Sequence, residues 1–154
     1  EFPPLLHAIH DPPPGLFVRG DAEPELLRRS TVAVVGARSC SPYGAQVARM
    51  LGRELGRTGL VVVSGLARGI DGEAHRGALE SGGPTIGVLG CGIDRDYPAA
   101  HRELATRIRA TGLTVSEYLI ARHLGCLGAG DATPPVAGAR ASEPAAPSES
   151  TRRA

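Results

Sequence analysis

Three observations predict an α/β fold, a parallel sheet flanked by helices. Short aliphatic runs alternate with longer amphipathic stretches in the order β-α-β-α-β-α-β between Thr31 and Ser116. Three of the four runs end on glycine-bearing turns that lead toward a helix. Aromatic residues make up only 3% of the 154-residue chain and Trp is absent, so the core must be built from Val, Leu, Ile and Ala. Such a core suits strands buried under helices better than a β-sandwich.

Residues 1–30 read as an N-terminal segment. Phe2-Pro3-Pro4 and Asp11-Pro12-Pro13-Pro14-Gly15 exclude helix and central strand. Leu16–Gly20 reads as a short edge strand, and Glu23–Arg29 as one or two helical turns with acids first and arginines last. The main domain spans 31–118. Thr31–Gly36 is a short apolar run, expected as a buried strand. Ser41 then caps a helix that has Pro42 at its first position, with Val47, Met50, Leu51 and Leu55 on one face. Thr58-Gly59 stops it, and Leu60–Val63 is the second strand. Asp71–Glu80 forms the next helix, Thr85–Gly90 the third strand, Pro98–Ala110 the third helix with Leu104 and Ile108 inward, and Leu113–Ser116 the fourth strand. Residues 119–154 are rich in Ala, Pro, Ser, Gly and Arg without a period, the composition of a disordered tail.

Charge and cysteine content narrow the function classes. All 17 basic residues are arginine and the net charge is +1, which argues against a broad basic coat while permitting a local positive pocket. Any anion site must use guanidinium forks or backbone N–H groups. Cys40, Cys91 and Cys126 make no CxxC pair, so neither a disulfide framework nor a metal site is expected, and a reducing cytoplasm is. No apolar run approaches the roughly 18 residues of a membrane span, so no membrane partner is expected.

Ligands of an open parallel sheet bind beyond the strand C-termini. Three loops should meet there: Gly36-Ala37-Arg38, then Ser64-Gly65-Leu66-Ala67-Arg68-Gly69, then Gly90-Cys91-Gly92. Glycine turns at helix starts leave backbone N–H groups for a phosphate, so these loops form the candidate nucleic-acid-binding set, with Asp71 as cap of the second helix. The dinucleotide pattern G-x-G-x-x-G is missing, and without lysine a P-loop is impossible. Asp71 and His75, four residues apart, share a helix face, so a Ser64/His75/Asp71 set is conceivable; no G-x-S-x-G elbow surrounds Ser64, and no catalytic residue is assigned. Tyr97 and Tyr43 are the aromatics near the crevice.

The blocks Val32–Arg38, Pro42–Gly44, Val62–Asp71, Ala74–Leu79, Gly83–Asp94 and Tyr97-Pro98, in that order, resemble the DNA-processing DprA (Smf) family from about Pro3 to Tyr118. The resemblance implies an extended Rossmann-like fold, sequence-independent single-stranded DNA binding and loading of the RecA recombinase in natural transformation. It implies no catalytic reaction and no cofactor, and a homodimer in the full-length family. By position, Gly36 and Arg38 match the family's Gly-Ser-Arg turn with Ala37 at Ser, and His101 stands where Asn is frequent. The family begins with a small helical domain, which this chain is expected to lack by truncation. After Ser116-Glu117-Tyr118 it continues into a Phe-Pro-x-Arg-Asn-Arg-Ile-Ile block that Leu119 onward lacks. The sheet is therefore expected to be incomplete at its C-terminal end, with 119–154 the product of a frameshift in a GC-rich gene. Two alternatives stand beside this reading: a phosphoribohydrolase-like nucleotide-processing enzyme, whose Pro-Gly-Gly-x-Gly-Thr loop is missing here, and a non-functional fragment.

Overall fold

The computed structural model describes residues 2–119. It contains a five-stranded sheet in the order β1-β5-β4-β3-β2: β1 (Phe17–Arg19), β2 (Thr31–Ala33), β3 (Val61–Ser64), β4 (Thr85–Leu89) and β5 (Leu113–Ser116). Strands β2 to β5 are parallel, and β1 joins β5 antiparallel at the edge, Val18 facing Val115. Helices α2 (Pro42–Arg57), α3 (Ile70–Glu80) and α4 (Arg102–Thr111) make the crossovers. All three crossovers step one strand in the same direction, and right-handed connections then put all three helices on one face.

Strand alternation separates the two faces chemically. Val62 packs with Ala74 and Ala78 of α3. Leu66 and Leu89 pack with Leu104, Ala105 and Ile108 of α4. The intervening side chains, Val61, Ile86, Leu113 and Val115, point the other way, onto Leu26 of a short 3-10 helix at Pro24–Arg28. That cover reaches only part of the second face: Val88 is 44% exposed and Val35 73%.

Helix α2 starts as its sequence requires, the Ser41 Oγ accepting from Gly44 N at 3.1 Å with Pro42 at the first position. Its inward stripe differs from the aliphatic one expected. Ala48, Gly52 and Gly56 are buried, whereas Met50 and Leu51 stay nearly half exposed. The cause is backbone proximity: a Cβ at Gly52 would collide with the Ala74 carbonyl, and one at Gly77 with the Arg49 carbonyl. Met50 and Leu51 are left outside so close a helix pair, while Leu55 packs against Val62, Ala74 and Ala78 as expected.

Two further expectations are corrected. The first strand is shorter than Thr31–Gly36 and, among the described residues, is an exposed edge that pairs only with β3. Pro4 opens a single helical turn, α1 (Pro4–His7), since a proline at a helix start forfeits no intrahelical hydrogen bond. The expected tail lies outside the described residues from 120 onward. Among the described residues, no helix is long and apolar enough to cross a membrane.

Candidate nucleic-acid interface

The three glycine-bearing loops leave neighbouring parallel strands at the same sheet edge, as the topology requires. The first two are joined by Asp71, which does not cap α3. Gly69 is the capping residue, and Asp71 lies inside the first turn, 3% exposed. Its Oδ1 accepts the Gly36 N–H at 3.2 Å and its Oδ2 the Gly65 N–H at 3.1 Å. The carboxylate therefore serves the two loops rather than its own helix. Two of the amides expected to face a phosphate donate instead to this internal anion.

The rest of the α3 start is also wired internally. Ile70 N donates to the Ala37 carbonyl at 3.2 Å and Gly72 N to the Ala67 carbonyl at 3.1 Å. Gly69 takes φ +76°, and a Cβ there would collide with the carbonyls of Ala37 and Arg38. Only glycine satisfies both conditions, so the first loop lies directly on the second.

The second loop is held at nearly every residue. Ser64 Oγ donates to the Val34 carbonyl at 2.6 Å. Leu66 adopts φ +58°, uncommon for a non-glycine residue, and its fully buried side chain fills the α4 core. The Leu66 carbonyl accepts from His101 Nδ1 at 3.0 Å; a carbonyl only accepts, so Nδ1 carries the proton. His101 thus braces this loop from the following crossover, a role that sequence spacing did not suggest. Ala67 is half-buried, and Arg68 and Arg38 point to the exposed rim.

The third loop divides. Gly90 is exposed with open space around it, while Cys91 joins the α4 core and Gly92 is buried. The Cys91 carbonyl accepts from Ser116 Oγ at 2.6 Å, and Ile93 N donates to the Tyr118 carbonyl at 2.9 Å, which fastens this loop to the end of β5. Cys40 is a free thiol. Tyr43 and Tyr97 are exposed, at 76% and 43%.

The conceivable Ser64/His75/Asp71 set is not assembled, because each member has another partner. His75 is fully buried, its Nδ1 at 2.7 Å from Thr85 Oγ1, which itself donates to the Val62 carbonyl at 2.7 Å. The Thr85 hydroxyl has one hydrogen, so His75 Nδ1 is the donor in that pair. Its Nε2 is buried without a partner among the described residues. Burial lowers the His75 pKa to about 4; the Ser64 backbone opposes the shift, and the His101 and Arg76 charges add to it. The imidazole is a neutral structural group beneath α3.

Comparison with known proteins agrees with this architecture. The family model for DNA recombination-mediator protein A matches residues 1–125. The DNA processing protein DprA of Streptococcus pneumoniae is 44% identical over 117 residues, covering 76% of this chain and 40% of the relative. Protein Smf of Synechocystis is 40% identical over 120 residues, covering 77% of this chain and 30% of the relative. The X-ray structure of the Streptococcus pneumoniae protein superposes with a TM-score of 0.69 at 44% identity, over 76% of this chain and 40% of that one. The structure of DNA processing protein A from Helicobacter pylori, which concerns its single-stranded DNA binding mode, superposes with a TM-score of 0.69 at 34% identity, over 77% of this chain and 53% of that one. The chain spans two fifths or less of the length of these two curated relatives. Its matched residues and its sheet agree, and the chain belongs to the DNA recombination-mediator protein A family, the DprA/Smf proteins.

Proposed function

We propose that this chain binds single-stranded DNA through the DNA's sugar–phosphate backbone, at the rim of the loops Gly36–Arg38, Ser64–Gly69 and Gly90–Gly92, where Ala37, Arg38, Gly65, Arg68 and Gly90 are exposed. One observation carries this reading: Asp71 joins the first two loops into one body whose outer surface presents Arg38 and Arg68. Guanidinium forks on phosphate ignore base identity, which suits binding without sequence preference. Exposed Tyr97, in the segment between β4 and α4, offers a face for base stacking. The single-stranded DNA binding of the Helicobacter pylori relative supports the assignment. In this reading the chain is a binding module in the cytoplasm, without a catalytic step. Handing DNA to the RecA recombinase during natural transformation is part of the proposal, and membership of the family supports it.

The test is oligo-dT binding measured across a salt series. Affinity should fall with salt, because released counterions supply most of the binding free energy. Arg38→Ala should weaken binding to every oligonucleotide about equally and reduce the log–log salt slope by about one. Unchanged oligo-dT affinity in that variant would remove Arg38 from the interface.

A further inference from the structure

We propose that Asp71 is a positioning residue for phosphate binding: its carboxylate fills the seat between the first two loops and holds Arg38 and Arg68 in register on the rim. The inference rests on the single-stranded DNA reading above. A glycine-rich loop ahead of a helix ordinarily leaves an open seat where backbone N–H groups converge on an anion. Here that seat already holds an anion. The Asp71 oxygens lie 3.2 and 3.1 Å from Gly36 N and Gly65 N, and the side chain is 3% exposed. The neighbouring amides of Ile70 and Gly72 are bonded to Ala37 and Ala67. A phosphate arriving from solvent meets the outer surface of these loops and not their interior.

The consequence is geometric. Gly36 and Gly65 are held by opposite oxygens of one carboxylate, and Gly69 lies against the Ala37 and Arg38 carbonyls. The backbone supports of the two exposed arginines are thus locked together before DNA arrives, which removes an ordering cost from binding. Coulomb's law alone predicts the reverse effect, since a carboxylate near a phosphate site repels it. The two views therefore differ in sign. If Asp71 acts only as a nearby charge, neutralising it tightens DNA binding; if it positions the arginines, neutralising it weakens binding.

The experiment compares wild type, Asp71→Asn and Arg38→Ala for oligo-dT affinity across a salt series, with the folded fraction of each followed by circular dichroism. Asp71→Asn keeps the side-chain shape but places an amide donor against one of the two loop N–H groups. For folded Asp71→Asn, affinity should fall by about tenfold and the salt slope should become shallower by about one. Equal or tighter binding overturns the proposal while leaving the DNA reading intact, provided that Arg38→Ala still weakens binding. A wild type that does not bind oligo-dT overturns both. Should Asp71→Asn fail to fold, amide hydrogen exchange of the wild type decides: the Gly36 and Gly65 N–H groups, both bonded to this carboxylate, should be protected to a similar degree. Exchange of either amide at the rate of an unbonded N–H refutes the shared carboxylate and the proposal with it.

Discussion

Replacing His75 with asparagine should make the protein less stable at neutral pH and relatively more stable in acid. The perturbation is specific because Asn retains an N–H donor for Thr85 Oγ1 but has no titrating group. In the wild type the imidazole is fully buried with its pKa lowered from 6.5 to about 4. The unfolded chain therefore binds the proton more readily than the folded one. Stabilisation from the neutral imidazole is complete above pH 6.5, declines as the pH falls through the window between the two values, and is gone below pH 4. At about 1.4 kcal/mol per pH unit, acidification across that window removes about 3 kcal/mol of wild-type stability through this one group. At pH 7.5, His75→Asn loses about 1–2 kcal/mol to the cavity left by the shorter side chain. Every other titratable group is present in both proteins, so the difference between the two isolates His75. Urea denaturation followed by circular dichroism between pH 7.5 and 4.5 should show the wild-type midpoint falling toward that of the variant and then below it. The relative displacement should be about 1–2 M urea. Parallel pH profiles would refute a neutral buried imidazole at this position.

Gly77→Ala should destabilise the protein by about 1–2 kcal/mol, because collision with the Arg49 carbonyl (a backbone group that cannot swing aside) outweighs the helix propensity gained. A rise in the thermal midpoint would show that the two helices can separate cheaply. Ser41→Ala should cost about 1 kcal/mol, the usual value of a helix N-cap, measured by the same urea titration. No loss there would mean that solvent replaces the cap at the exposed Gly44 N–H.

Legibility in the sequence followed the range of the interaction involved. Periodicity located all four parallel strands and three crossover helices, since apolar spacing along one element depends only on that element's own geometry. Val61-Val62-Val63 is an example: its alternate side chains meet α3 on one side and Leu26 on the other. The stripe on α2 held at Leu55 but not at Met50 and Leu51, because α3 backbone approaches α2 at Gly52 and Arg49, on a face that spacing alone does not single out. The three loops were legible as a set, because a parallel sheet sends every βα turn to one edge. Their internal wiring was not. Asp71 has the residue type and position of a helix cap, and nothing local distinguishes capping one's own helix from serving two loops elsewhere.

The sequence by itself determined the strands, the crossovers, the shared sheet edge and the two arginines on it, all consequences of local period and right-handed connection. Tertiary structure alone decided which groups remain available at that edge. The Asp71 carboxylate reaches Gly36 from 35 residues away, and His101 reaches the Leu66 carbonyl across the same separation. Contacts of that range arise only when the strands lie side by side, because a hydrogen bond is selected by distance in space and leaves no period along the chain.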